Sequence, residues 1–198
     1  MNWHTEDSYI SQGYTTICGV DEAGRGPLAG EVYAAACILP YGLELAGLTD
    51  SKKLTASKRD ALFDQICTNA VAYSIASATL AEIEEFNILG ATMLAMTRAV
   101  EKLSITPSLA LIDGNRTPSL SIPAVTIVKG DGISPNIAAA SVLAKVARDR
   151  TCLEMDKQYP QYNFAKHKGY GTKEHMDLIR LYGPCPVHRT GFLKFLDK

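Results

Sequence analysis

Three short apolar runs in this sequence each stop at an acid: ICGV meets Asp21-Glu22, LALI meets Asp113, and TIVKG meets Asp131. Such runs suit short buried strands. In an α/β fold, buried strands bring their carboxyl ends to one rim of the sheet, where sites are usually built. Four carboxylates are therefore expected to gather on one edge. Asp-Gly is also ordinary turn chemistry, and any one of these acids alone reads as a turn cap. Turn chemistry gives no reason for the repeated placement.

Carboxylates gathered in this way repel one another at neutral pH unless something positive sits among them. Oxygen-only donors select hard cations such as Mg²⁺ or Mn²⁺ over zinc. Adjacent strand residues point to opposite faces. The spacing thus predicts that Asp21 ends its strand and that Glu22 lies on the turn permitted by Gly24 and Gly26.

Around these acids the chain reads as alternating elements. Strands are expected over Thr15–Val20 and Glu31–Leu39, flanking the turn Asp21–Gly30, and again over Leu109–Ile112 and Ala124–Val128. Apolar spacing predicts helices over Ser57–Ala70, capped by Ser57, and over Ile88–Leu103. Ser134-Pro135 opens a helix to about Asp156, whose Ala138, Ala139, Ala140 and Ala144 allow close packing on a sheet. A last helix runs over Lys173–Leu181 behind Thr172. Front strands followed by helices alternating with buried strands argue for an α/β sandwich on a mixed sheet. Without repeats or linkers, 198 residues fit a single domain.

Lys and Arg number 20 against 21 acids, so any nucleic-acid contact needs a local patch. Candidates are Lys52-Lys53, Lys129, Lys145 and the segment FAKHKGYGT, which mixes bases with aromatics as a nucleic-acid groove would. Gly24-Arg25-Gly26 suits an anion, although no Gly-Lys-Ser/Thr follows it and the dinucleotide spacing fails. His175 and His188 read as surface or core residues without chemistry, and the methionines of ATMLAMT as core. Five scattered cysteines (Cys18, Cys37, Cys67, Cys152, Cys185) without a C-x-x-C pair point to a reducing compartment, with neither disulfide frame nor zinc site. A mean hydropathy of −0.01 and the start MNWHTEDSYI give no membrane helix and no secretory signal. A soluble cytoplasmic protein is expected.

In order and spacing, VDEAGRGPLAG, DSKKL, NILGATMLAM, LIDGN, VKGD with IAAASVLAKVARD, and FAKHKGYGT resemble bacterial ribonuclease HII, from about Ile17 to Phe195. The tail HRTGF departs from the pattern, with Thr190 and Gly191 where that family more often has Arg-Ser. The resemblance implies a ribonuclease H-like three-layer α/β/α sandwich on a mixed sheet. It also implies one catalytic domain over 1–198, with a helical substrate-binding part from about 160 to 198. The implied activity is endonucleolytic cleavage of RNA in RNA–DNA hybrids, and of DNA duplexes 5′ to an embedded ribonucleotide. The products would carry 5′-phosphate and 3′-hydroxyl ends, and Mn²⁺ or Mg²⁺ would be required. Carried over, Asp21, Glu22 and Asp113 bind the metal and Asp131 is the fourth catalytic carboxylate. The backbone of Gly24, Arg25 and Gly26 recognises the ribose 2′-hydroxyl, and Tyr170 stacks on the sugar after the junction. Lys52 and Lys53 join the substrate-binding set. The implied partners are hybrids and ribonucleotide-bearing duplexes, with no membrane, for a monomer. Two alternatives stay open. A resolvase-like or exonuclease relative on the same fold would lack the GRG loop and the KGY segment. A non-catalytic module would bind hybrids without metal-dependent turnover.

Overall fold

The computed structural model describes residues 1–49 and 51–197, apart from the side chains of Lys53 and Asp197. In chain order the elements are α1 (His4–Ile10), β1 (Ile17–Ala23), β2 (Val32–Ile38), α2 (Ala56–Asn69), β3 (Ala72–Ala78) and α3 (Leu80–Glu101). Then follow β4 (Leu109–Asp113), β5 (Ala124–Ile127), α4 (Pro135–Gln158), α5 (Phe164–His167) and α6 (Lys173–Tyr182). The five strands form one mixed sheet in the order β3-β2-β1-β4-β5. β1 is antiparallel to β2, and β2 to β3, while β1, β4 and β5 run parallel. All three parallel strands therefore deliver their carboxyl ends to one rim.

Side-chain alternation splits the sheet between two cores. Cys18, Val20, Ala34, Ala36 and Ile112 meet the Ala91, Ala95, Met96 and Ala99 face of α3. Ala23, Ala35 and Cys37 meet α2, through Leu62 and Ile66, and the alanine face of α4. These are the three layers the sequence implied. The small residues of β2 admit a helix on each face. At Gly19 the approach is closer still: a Cβ there would lie 2.1 Å from the backbone of Asn136 and Ile137, at the start of α4. Beyond α4, Phe164 and Ile179 join Met155, Tyr162, Leu193 and Ala29 of the 24–30 loop in a separate apolar cluster. No helix among the described residues is long and apolar enough to cross a membrane.

Several boundaries differ from the sequence reading. β1 runs on through Asp21 and Glu22 to Ala23, so Glu22 lies on the strand, paired with Ala34, and not on the turn. The pairing of β1 with β4 stops at Val20 and Ile112, which leaves Asp21 and Glu22 overhanging that edge. β3 gave no signal, because AYSIASA alternates small and weakly apolar residues. α2 is capped by Thr55, whose hydroxyl accepts from the N–H of Lys58, and not by Ser57. α3 begins at Leu80 behind a Thr79/Glu82 capping box. It kinks at Asn87 (φ 57°), whose side chain caps again by accepting the N–H of Leu89. The periodicity starting at Ile88 marks that second segment. α1 was also unforeseen: its Glu6 is buried and accepts from the Ser134 hydroxyl at 2.6 Å, at the head of α4. Ser134 and Thr172 cap their helices as expected.

Candidate active site

The site starts from the overhang of β1. Asp21 is buried, accepts a hydrogen bond from Ser141 on α4, and takes the N–H of Glu22 on its Oδ1 at 2.7 Å. Burial pushes its carboxyl well above the usual carboxylate range, and the charges of Glu22 and Asp113 push the same way. Burial also raises Glu22, opposed by Arg25, whose Nη1 lies 3.4 Å from its Oε1, and by Lys52. Asp113 closes β4, and its Oδ1 accepts the N–H groups of Gly130 (2.7 Å) and Asp131 (3.4 Å). That pair of bonds folds the short 3₁₀ turn after β5 back towards Asp113, bringing buried Asp131 to the same rim.

The four acids therefore share an edge, and three of them feel one another's charge. Among the described residues, no three acidic, histidine or cysteine side chains surround one point closely enough to grip an ion as they stand. The donor chemistry nevertheless fits a hard divalent cation: every donor is oxygen, and Asp21 is strongly resistant to ionising beside Glu22 and Asp113. A cation would relieve that repulsion.

Beside the acids lies a cleft of about 370 Å³. Its walls include Glu22, the Gly24-Arg25-Gly26 loop and Tyr170, and its basic groups include Lys52, Arg59, Lys145 and Arg148. Asp21, Asp113 and Asp131 do not line it, although Ser141, the partner of Asp21, does. The side chain of Lys53 lies outside the described residues. Gly26 faces Tyr170, with only 3.7 Å between a would-be Cβ and the ring. At Gly24 (φ +100°) a Cβ would lie 2.2 Å from Nε of Arg148, so that position requires glycine.

Sequence reasoning singled out Lys145 among the basic groups of this cleft but missed several other residues that build it. Arg59 donates to the carbonyls of Ser51 (3.0 Å) and Leu54 (2.9 Å), which holds the turn carrying Lys52. Ser141, Lys145 and Arg148 share one face of α4 at i, i+4 and i+7, a polar stripe readable within the alanine-rich helix. Arg148 is buried, donates to the Lys168 carbonyl at 2.9 Å, and sits 5.7 Å from the Tyr170 ring centroid. Its Nε and Nη1 have no hydrogen-bond partner among the described residues. Arg189 and a cluster of three histidines, His167 stacked on His175 and His175 bonded to His188, lie beside the same loop. The partners of Arg189 are far away in the chain, and the pairing of His175 with His188 joins α6 to the tail across 13 residues.

The sequence matches the ribonuclease HII family profile over residues 18–195. A ribonuclease HII from Burkholderia pseudomallei is 57% identical over 176 residues, covering 89% of this chain and 82% of that one. One from Caldicellulosiruptor bescii is 51% identical over 189 residues, covering 96% and 92%. Among solved structures, ribonuclease H2 from Pyrococcus horikoshii superimposes with a TM-score of 0.74 at 23% identity, covering 93% of this chain and 100% of that one. Bst-RNase HIII in complex with Mn²⁺ gives 0.62 at 16% identity, covering 86% and 63%. These two likenesses establish the fold. With the profile spanning nearly all of it and relatives identical at more than half of the aligned positions, the chain belongs to the ribonuclease HII family of endoribonucleases.

Proposed function

We propose that this hydrolase, beyond cutting the RNA strand of RNA–DNA hybrids as its family does, nicks duplex DNA 5′ to an embedded ribonucleotide and leaves 5′-phosphate and 3′-hydroxyl ends. The observation that carries this reading is the adjacency of two devices. A rim of mutually repelling carboxylates adjoins a basic cleft walled by the GRG loop and Tyr170.

In this reading Asp21, Glu22 and Asp113 hold Mn²⁺ or Mg²⁺, and Asp131 completes the set. The Mn²⁺ complex of the similarly folded Bst-RNase HIII supports a divalent ion over other cofactors. A bound ion would lower the pKa of the attacking water and offset charge on the scissile phosphate. The chain's own groups do the rest. Arg25 and Lys52, beside Glu22, offer positive charge to the phosphate backbone, while Arg59 and Lys145 are held on the cleft wall by ion pairs to Asp149 (3.4 and 2.6 Å). Loop N–H groups of the GRG turn meet the 2′-hydroxyl, the group that separates RNA from DNA at one position. Tyr170, 43% exposed, offers its ring to the following sugar.

Residues 1–198 serve as one catalytic unit in this proposal, with about 160–198 as the part that steadies the substrate. The enzyme works as a monomer in the cytoplasm, where its five free thiols stay reduced. The test is strand cleavage of a labelled DNA duplex carrying one ribonucleotide, with Mn²⁺, with Mg²⁺ and with chelator. A single metal-dependent nick 5′ to the ribonucleotide is expected. Cleavage of plain hybrid alone would confine the activity to long RNA tracts.

A further inference from the structure

We infer that two consecutive residues, His188 and Arg189, are the positioning element that sets the GRG loop and Tyr170 in register with each other. The inference rests on the proposal that these two elements read the ribose, and it concerns groups that touch no substrate.

Arg189 is 2% exposed, and all five of its N–H donors are used on backbone carbonyls. Nε donates to Gly30 (2.8 Å), Nη1 to Arg25 (3.0 Å) and Pro27 (2.9 Å), and Nη2 to Gly24 (2.7 Å) and Glu31 (3.2 Å). One guanidinium thus gathers carbonyls from both ends and the middle of the loop towards itself. Because a trans peptide points its N–H opposite its C=O, drawing in the Gly24 and Arg25 carbonyls turns the N–H groups of Arg25 and Gly26 the other way. Neither N–H is bonded among the described residues. The loop's donors are left presented, not consumed.

His188 reaches the second element. Its backbone bridges Ala29, and the neighbouring Arg189 N–H donates to Leu28 at 2.8 Å. Its Nδ1 accepts the N–H of Cys185 at 2.9 Å, so the ring hydrogen sits on Nε2. That hydrogen faces Nε2 of His175 at 3.1 Å, which leaves the His175 hydrogen on Nδ1, donated to the Tyr170 carbonyl at 2.9 Å. His167 stacks on His175 at 4.1 Å and accepts the N–H of Gly169 on its Nδ1 at 3.1 Å. The hydrogens alternate along this relay only while every ring is neutral. A further strap, from the Leu28 N–H to the Gly169 carbonyl at 2.8 Å, ties the two elements directly. A packing role alone would not need a guanidinium matched donor for donor to one loop, nor a histidine relay ending on the tyrosine's own carbonyl.

The experiment compares wild type, R189K, H188A and H188Q. Lys cannot reproduce the planar fork, whereas Gln keeps a donor where His188 Nε2–H stood. Binding is measured in chelator to a DNA duplex with and without one ribonucleotide, and cleavage to an RNA-to-DNA junction against plain hybrid. R189K is expected to lose at least tenfold of the ribonucleotide-over-DNA binding preference and to raise KM more than it lowers kcat. H188A should lose junction preference several-fold, and H188Q should recover most of it. Folded variants, judged by thermal melting, that keep wild-type preferences overturn the inference. Should R189K fail to fold, the H188A and H188Q pair decides by the same criterion. A wild type that shows no ribonucleotide preference at all overturns the underlying reading of the loop, a separate outcome.

Discussion

Asp113 holds Gly130 by its backbone: the carboxylate Oδ1 accepts the Gly130 N–H at 2.7 Å and so fixes the turn that carries Asp131. One side chain thus serves both as a member of the acidic rim and as the brace for its neighbour. Asn in its place keeps an oxygen acceptor but not the charge. D113N is therefore expected to fold like wild type and lose at least a hundredfold in activity, the scale of a lost transition-state charge. D113A loses the brace as well and should cost a further 1–3 kcal/mol, roughly the penalty of stranding a buried donor. Circular dichroism melts and single-turnover cleavage separate the two.

Burial holds Asp21 above its ordinary range with help from Glu22 and Asp113, so the charged form is disfavoured in the folded state. A carboxyl raised on folding costs stability as pH rises past its unfolded value near 3.8. D21N is expected to be inactive yet to melt higher than wild type at pH 7.5 in chelator. Adding Mn²⁺ or Mg²⁺ should raise the wild-type melting temperature and barely move that of D21N. A variant that melts lower in chelator would contradict the assignment of Asp21 as the stressed member of the rim.

Tyr170 is 43% exposed, and its ring faces Gly26 across the cleft mouth. Removing the ring strips a stacking surface without opening the core. Y170A should stay within about 1 kcal/mol of wild type in stability, as surface substitutions do. Its preference for an RNA-to-DNA junction over plain hybrid should fall about tenfold, the scale of one lost stacking contact. Competition between the two labelled substrates in one tube reads the ratio directly.

Acid should loosen the ground under that tyrosine. Burial holds His175 at about 4, and the His167 and His188 rings also lie below the usual 6.5. Groups facing the trio are Cys185 beside His188, with Glu174, Asp156 and the opposing Lys166 acting on His167. A histidine whose folded value is depressed contributes stability fully above its unfolded pKa, and loses it as pH falls towards the folded value. The melting temperature should therefore fall between pH 6.5 and 4, and H175Q should flatten that slope. An unchanged slope in the variant would remove His175 from the acid response.

The acidic rim was legible because each member closes an apolar run, so one local pattern repeated. What alternation could not convey was the overhang: β1 outruns its pairing with β4 at Val20. Asp21 and Glu22 thus stay on one strand and still both feel Asp113. The GRG loop was readable from its glycines. Arg189 was not, since its partners lie 158 to 165 residues away and are carbonyls, which carry no sequence signature. His175 and His188 carry no chemistry as isolated residues and gain meaning only once α6 and the tail bring their rings together. Lys145 stood out as a basic candidate, whereas Arg148, three residues on, went unread because the alanine face of the same helix dominated its pattern.

The bond from Arg189 to Gly24 spans 165 residues, whereas the sheet and all four acids are complete by Asp131. During synthesis, at roughly 5–20 residues per second, the acids of the proposed site emerge seconds before the segment proposed to set the loop. On the proposed assignment, a chain clipped between α4 and the tail keeps the acids and loses the element that sets the loop. On that assignment, substrate discrimination is the last property this fold acquires.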